Sequence, residues 1–224
     1  MNTTSSSSRG ITNIHSGQHL NNINYKDIPH PVSCGCISGE RENSSLLQSL
    51  FQLRYRVFNQ RLNWDVSSLN GCERDRFDNS ETNYIVTTDA EENVKGCVRI
   101  LPTTSPYMLS DIFPFLWQGK TPLPCSSTIC ELSRFAFDKG QQADGYGFSV
   151  AVKKLLRNLV LYAKENHIEK YVFVTTAAIE RLLRIQGVSI ERVGTVVPMH
   201  NAKAVVIFMN INNKTESSLF KSAQ

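Results

Sequence analysis

The stretch Cys130-Glu131-Leu132-Ser133-Arg134-Phe135-Ala136-Phe137 sets a carboxylate and a guanidinium among residues that otherwise read as a buried strand. Leaving either charge unpaired inside a protein costs about 3–5 kcal/mol, so the surrounding chain has to supply partners for both. Strict alternation puts Glu131, Ser133, Phe135 and Phe137 on one face and Leu132, Arg134 and Ala136 on the other. If both charges serve one cleft, the strand must bulge near Ser133, and bulges concentrate beside active sites.

Upstream of this strand, residues 102–128 hold five of the eight prolines, with Tyr107, Phe113, Phe115 and Trp117 between them. Such a segment reads as a long structured loop or short helical pieces, and loops of this length are usually functional. Before it come two strands, Asn83–Thr88 and Val94–Leu101, joined by the turn-like Asp89–Asn93. In the second, Cys97, Arg99 and Leu101 share a face opposite Gly96, Val98 and Ile100, so Arg99 falls on an apolar side. The run Glu73-Arg74-Asp75-Arg76-Phe77-Asp78-Asn79 is a polar loop containing acids. Earlier still, Leu46, Leu47, Leu50, Leu53, Val57 and Phe58 repeat with a helical period from an N-cap at Asn43 or Ser44. Arg54 lies four residues from both Leu50 and Phe58 and shares their stripe.

Downstream, Gly145-Tyr146-Gly147 precedes an amphipathic helix with Phe148, Val152, Leu155, Leu156, Leu159 and Ala163 on one side and Lys153, Lys154, Arg157 and Lys164 largely on the other. Lys170–Thr176 reads as a central strand, Ala178–Ile185 as a short helix stopped by Gly187, and Glu191–Val197 and Ala202–Ile211 as two more strands. Helix, antiparallel strands, then strand-helix-strand-helix argues for an α/β (α+β) three-layer fold, a mixed twisted sheet flanked by helices. Residues 1–40, rich in Ser, Asn, Gly and Thr without apolar periodicity, read as a disordered or loosely attached extension. The domain then covers 41–215, with 216–224 as a tail.

The 224 residues suit one globular domain, and a net charge of +4 is too small an excess to argue for nucleic acid. No run approaches the roughly 20 apolar residues needed to span a bilayer, and the N-terminus lacks the pattern of a secretory signal. The expectation is a soluble, cytoplasmic protein with no membrane association. Its six cysteines read as reduced thiols, and Cys34-Gly35-Cys36 has no second pair at zinc spacing, so no metal site is expected.

Arg54, Arg99 and Arg134 stand on apolar faces and can be set against Asp75, Asp78 and Glu131. Such a cluster either braces the fold or lines a cleft for a zwitterionic, cationic or carboxylate-bearing substrate. Arg donates two parallel hydrogen bonds to a carboxylate, and Phe58 and Trp64 add a π surface for an adenine or a cation.

Leu53-Arg54 with Phe58, Trp64-Asp65-Val66, Asp75 and Asp78, Gly96-Cys97-Val98-Arg99-Ile100-Leu101-Pro102-Thr103-Thr104, and Glu131-Leu132-Ser133-Arg134-Phe135 together closely resemble the LuxI-type acyl-homoserine-lactone synthases. The resemblance covers about residues 46–215 and implies a fold similar to GNAT acetyltransferases. It also implies a quorum-sensing signal made from S-adenosylmethionine, a substrate and not a cofactor, and an acyl group on acyl carrier protein. Amide formation comes first, then lactonisation with release of methylthioadenosine. By the same resemblance Glu131 is the candidate base, with Arg99, Ser133 and Arg134 completing the catalytic strand region. Arg54, Phe58, Trp64, Asp75 and Asp78 would surround S-adenosylmethionine. Thr175 would meet the acyl chain, as in relatives where Thr accompanies 3-oxo chains, and Arg181 and Arg184, with Lys153, Lys154 and Arg157 as alternatives, would dock the carrier protein. The competing reading is a GNAT-type N-acetyltransferase using acetyl-CoA, because Gln142-Ala143-Asp144-Gly145-Tyr146-Gly147 fits a Q-x-x-G-x-G loop that cradles pyrophosphate.

Overall fold

The structure, a computed structural model, describes residues 33–39, 45–138, 143–144, 147–199 and 202–220. In chain order its elements are β1 (Ser33–Ser38), α1 (Ser45–Arg54), a π-helical continuation (Tyr55–Arg61), β2 (Ser68–Leu69), β3 (Cys72–Glu73), β4 (Asn83–Thr88) and β5 (Val94–Pro102). There follow α2 (Met108–Asp111), a 3₁₀ turn (Pro114–Leu116), β6 (Ile129–Phe137), β7 (Ala143–Asp144), β8 (Gly147–Phe148), α3 (Val150–Glu165), β9 (Lys170–Thr176), α4 (Ala177–Ile185), β10 (Ile190–Met199), β11 (Ala202–Asn210) and α5 (Asn213–Phe220).

Seven strands form one sheet in the order β1-β4-β5-β6-β9-β11-β10. Every pairing is antiparallel except β6 with β9. A parallel pair needs a long crossover, and α3 supplies it. Its apolar stripe, Val152, Leu155, Leu156, Leu159 and Ala163, is buried against Ile85, Val98, Ile100 and Phe137 of the sheet. Each fully buried Leu or Val contributes about 1.5–3 kcal/mol. The Ser149 hydroxyl caps α3 by accepting from the Val152 N–H at 3.3 Å, and the Thr176 hydroxyl caps α4 by accepting from the Ile179 N–H at 3.3 Å. Gly187, at φ +81°, ends α4 as expected of a residue that tolerates the left-handed region.

On the opposite face the cover is split. α1 packs Leu46, Leu47, Leu50 and Leu53 on Tyr84, Val86, Val94, Cys97 and Ala136. The segment around α2 packs Tyr107, Met108, Leu109 and Leu116 on Leu101, Val172, Ala204 and Val206. β5 passes beneath both, giving Cys97 to the first core and Leu101 to the second, with Arg99 between them.

Three sequence expectations are corrected here. Ser33–Ser38, assigned to the loose extension 1–40, is an edge strand whose register runs from Ser33↔Thr88 to Ser38↔Asn83; a six-residue edge strand of Ser, Cys and Gly carries too weak a pattern to be read as one. The domain does not stop at 215: α5 runs to Phe220 and buries Leu219 in the α3 core. In β6, Phe135 and Phe137 do not share the face of Glu131, since Phe137 packs into the α3 core while Glu131 faces α2. The bulge described below reverses the alternation. The N-cap at Asn43 or Ser44, and residues 1–32 and 221–224, lie outside the described residues.

Candidate active site

The split between the two cores is filled by charge. β6 pairs Ser133 with Arg99 and Ala136 with Cys97, so Arg134 and Phe135 together oppose Val98 alone, and Arg134 takes φ +54°. This is the bulge that the paired charges demanded. It turns the Arg134 side chain onto the face of Glu131 and Ser133, and a non-glycine residue in this region is a strained position of the kind that gathers at functional sites.

Arg54 is fully buried. Its Nε donates to Glu73 at 2.5 Å, and its fork donates to both oxygens of Asp78 at 2.7 and 2.8 Å. Arg99 donates to both oxygens of Asp75 at 2.6 and 3.1 Å, to Asp78 at 2.9 Å and, through Nε, to the Ser133 hydroxyl at 3.0 Å. Arg134 donates to Glu73 at 3.0 Å and to Asp75 at 2.7 Å. Asp78 also accepts from the Tyr84 hydroxyl at 2.8 Å and the Asp75 N–H at 2.9 Å, which saturates it with protein donors. Three guanidinium groups thus meet three carboxylates.

The third carboxylate is Glu73, and not the expected Glu131. Glu131 stands outside the ionic cluster, its two oxygens accepting from the Met108 N–H at 2.8 Å and the Leu109 N–H at 2.7 Å. These are first-turn amides of α2, which have no partner within their own helix. The expectation that set the three arginines against Asp75, Asp78 and Glu131 is corrected accordingly, with Glu73 in the place of Glu131. With the cluster balanced without it, burial dominates: it pushes the Glu131 carboxyl up to about 7, against the two amides and the more distant Arg99 and Arg134, which favour the anion.

Asp78 moves the other way. Burial opposes its ionisation, but Arg54 and Arg99 overcome it and hold the carboxyl well below the usual carboxylate range. The two shifts give stability opposite pH dependences. Asp78 contributes stability that is present above the ordinary carboxylate range and lost as pH falls towards its folded value. Glu131 contributes stability that is complete below its ordinary 4.5 and lost as pH rises through about 7. The resulting loss between pH 4.5 and 8 is on the order of 3 kcal/mol. Urea midpoints measured across this range are expected to fall with rising pH, and Glu131→Gln is expected to flatten that limb while leaving the acid limb in place.

Among the described residues, one side of the cluster opens outward. Asp75 and Arg134 keep 16% and 12% of their side chains exposed, whereas Glu73 and Asp78 keep none. Phe58 closes this side, with Arg134 over its ring at 5.5 Å and Trp64 stacked on it at 5.2 Å and 15°. Phe58 comes from the π-helical turn that follows Arg54, and Trp64 is half exposed. Of the residues expected around S-adenosylmethionine, Asp75, Phe58 and Trp64 therefore line the opening, joined there by Arg134 of the expected catalytic strand, while Arg54 and Asp78 act through the side chains they hold. Ser133 serves as an acceptor for Arg99.

Thr175 is not brought to this cluster. It is half-buried near the end of β9, where alternation places it with Tyr171 and Phe173 on the α3 side of the sheet. β6 and β9 pair only over Ile129–Glu131 and Lys170–Val172 and then part, leaving an open V between Ser133 and the end of β9. Arg181 and Arg184 are exposed on α4, remote in the fold from α2; Arg184 and Arg192 both donate to the buried Glu180. Arg157 is tied elsewhere, donating to the Leu219 carbonyl at 2.5 Å with its guanidinium over Phe220. Residues 142, 145 and 146 of the Gln142–Gly147 loop lie outside the described residues.

Among the described residues no group of three or more His, Cys, Asp and Glu is placed to hold a metal, and no helix is long and apolar enough to cross a membrane. The six cysteines are free thiols; burial pushes Cys34 and Cys97 up to about 12 and Cys36 and Cys130 up to about 11.

Sequence reasoning missed Glu73, Tyr84 and Met108. Glu73 precedes Asp75 by two in the same charge run, and a third acid there is what a cluster of three arginines requires once Glu131 finds amide partners. Nothing in the sequence distinguishes Tyr84 and Met108 from core residues.

The chain matches the autoinducer synthase family over residues 38–219. It is 39% identical over 174 residues to an acyl-homoserine-lactone synthase of Aliivibrio fischeri, covering 77% of this chain and 90% of the relative. Among solved structures, the acyl-homoserine-lactone synthase LasI superposes with a TM-score of 0.73 at 36% identity, over 86% of this chain and 97% of its own. TofI, solved with an inhibitor and MTA (methylthioadenosine), gives 0.72 at 30% identity over 84% and 96%. Two more distant likenesses speak to the fold alone. One is the CoA-dependent synthase BjaI, at 22% identity and a TM-score of 0.73. The other, at 13% and 0.55, is a Lactobacillus plantarum protein named as an N-acetyltransferase. The fold is GNAT-like.

Proposed function

Because the chain belongs to the autoinducer synthase family and is an acyl-homoserine-lactone synthase, we propose that it joins S-adenosylmethionine to an acyl group delivered on acyl carrier protein. The observation that carries this reading is Glu131: a buried carboxyl shifted to near-neutral ionisation, beside a charge-balanced cluster that opens through Asp75, Arg134, Phe58 and Trp64.

The substrate amine must be neutral to attack. Glu131 accepts its proton, directly or through one water, using the lone pairs that the Met108 and Leu109 amides leave free. A base with a pKa near 7 is matched to work at neutral pH. The amine nitrogen bonds to the thioester carbon, the carbon–sulfur bond breaks, and the carrier sulfur leaves as the thiol, taking up the second proton that the nitrogen releases as it becomes an amide. The methionine carboxylate then attacks its own γ-carbon, forming the lactone carbon–oxygen bond as the carbon–sulfonium bond breaks. Methylthioadenosine leaves neutral, so this step needs no acid. Positioning suffices, and rigid side chains around a single opening supply it.

Asp75 is the acid of the cluster able to face a substrate ammonium, Arg134 the guanidinium able to face its carboxylate, and Trp64 on Phe58 a platform for adenine or the sulfonium. The acyl chain is assigned to the V between β6 and β9 and onward to Thr175. For the donor, the exposed guanidinium groups of Arg181, Arg184 and Arg192 around the single Glu180 favour an acidic protein partner.

Acyl carrier protein and CoA esters of the same acyl chain are to be compared as donors at equal concentration. The carrier-bound chain is expected to react at least tenfold faster in kcat/KM, with Arg181→Glu/Arg184→Glu lowering that rate and sparing the CoA rate. Equal or faster turnover with CoA, unaffected by the charge reversals, would assign the donor to CoA.

A further inference from the structure

Met108 joins the two parts of the site. Its backbone N–H holds one oxygen of Glu131 at 2.8 Å, while its thioether sulfur accepts from Arg99 Nη2 at 3.0 Å and from Arg134 Nη1 at 3.3 Å. The side chain is buried. Sulfur is a weak acceptor and an unusual partner for two guanidinium groups, which ordinarily take carboxylates. Here a carboxylate would bring a fourth acid into a balanced cluster and add a like charge beside Glu131. A thioether satisfies both donors and adds none.

We propose that Met108 is a positioning residue for the reaction, its sulfur fixing the Arg99 and Arg134 guanidinium groups relative to the carboxylate that its own amide anchors. The inference rests on Glu131 as the base of the proposed function. The groups facing Glu131 are Arg99 from β5, Arg134 from β6 and Tyr107 ahead of α2, while β9 places Val172 beside it. Burial is the larger influence on the Glu131 carboxyl, and of these groups the two arginines favour the carboxylate form, so their distance adjusts the pH at which Glu131 becomes a base. When the sulfur acceptor is lost, Arg99 is held by Asp75, Asp78 and Ser133 and Arg134 by Glu73 and Asp75, so both guanidinium groups draw away from α2.

Met108→Leu keeps the volume and the backbone amide and removes the acceptor; Met108→Gln restores an acceptor oxygen without charge. For Met108→Leu, kcat is expected to fall about tenfold with little change in KM for S-adenosylmethionine, and the acidic limb of the kcat profile is expected to move to higher pH. Met108→Gln should recover much of both. The Glu131 titration, followed by carbon-13 NMR in protein labelled at glutamate side chains and assigned with Glu131→Gln, should move upward in Met108→Leu whether or not turnover is observed. This separates the two readings: absence of lactone from the wild type would overturn the proposed function, while an unmoved Glu131 titration would overturn the role of Met108. Equal losses in the Leu and Gln variants, in proportion to lost thermal stability, would also overturn it and leave Met108 as packing.

Discussion

Glu131→Gln is expected to lower kcat by roughly two orders of magnitude or more, the usual contribution of a positioned general base, while KM for S-adenosylmethionine changes little. The separation follows from where Glu131 stands. The arginines and acids that line the opening are paired with one another and do not need Glu131 for their charge balance. The fold is expected to survive. Gln still accepts one of the two α2 amides and leaves the other facing its own NH₂, a loss of about 1–3 kcal/mol for one unsatisfied donor. That loss is partly offset above pH 7 because a buried anion is removed. Steady-state kinetics and urea denaturation at pH 8 check both halves. Activity lost only in proportion to the unfolded fraction would make Glu131 a structural anchor of α2 and not a base.

Asp78→Asn is expected to act in the reverse sense, chiefly on stability. Asp78 accepts from Arg54, Arg99, Tyr84 and the Asp75 amide together. Neutralising it leaves Arg54 fully buried with only Glu73 beside it. Removing one partner of a buried ion pair costs about 3–5 kcal/mol. Against a total stability of about 5–15 kcal/mol, this is a large share, and at this chain length it corresponds to a fall in Tm of about 10 °C. Calorimetry of Asp78→Asn, Arg54→Met and the double variant measures the coupling directly. The double variant should be more stable than the sum of the single losses predicts; strict additivity would show that the pair does not interact in the folded state.

Much of the fold was legible because the apolar periods agree with the final elements. Lys170–Thr176 stands where its pattern placed it, α3 buries its predicted stripe, and Arg54 and Arg99 occupy the apolar faces that spacing assigned. The bulge in β6 was also legible, as the only way for Glu131 and Arg134 to share a face. What the sequence hid depends on tertiary contact. β1 is recognisable only by its pairing with β4. The exchange of Glu131 for Glu73 as the third acid follows from α2 offering two amides, and no local pattern announces that a four-residue helix will begin against that carboxylate. Thr175 lies across the sheet from the charged cluster, so linking the two depends on the parting of β6 from β9.

The most direct test of the account is the stoichiometry of products. Purified protein is incubated with S-adenosylmethionine and acyl carrier protein bearing a range of acyl chains, and lactone and methylthioadenosine are quantified together by mass spectrometry. An N-acyl-homoserine lactone and methylthioadenosine are expected in equal amounts, both strongly reduced in Glu131→Gln. An N-acylated product formed from acetyl-CoA with no methylthioadenosine released would contradict it.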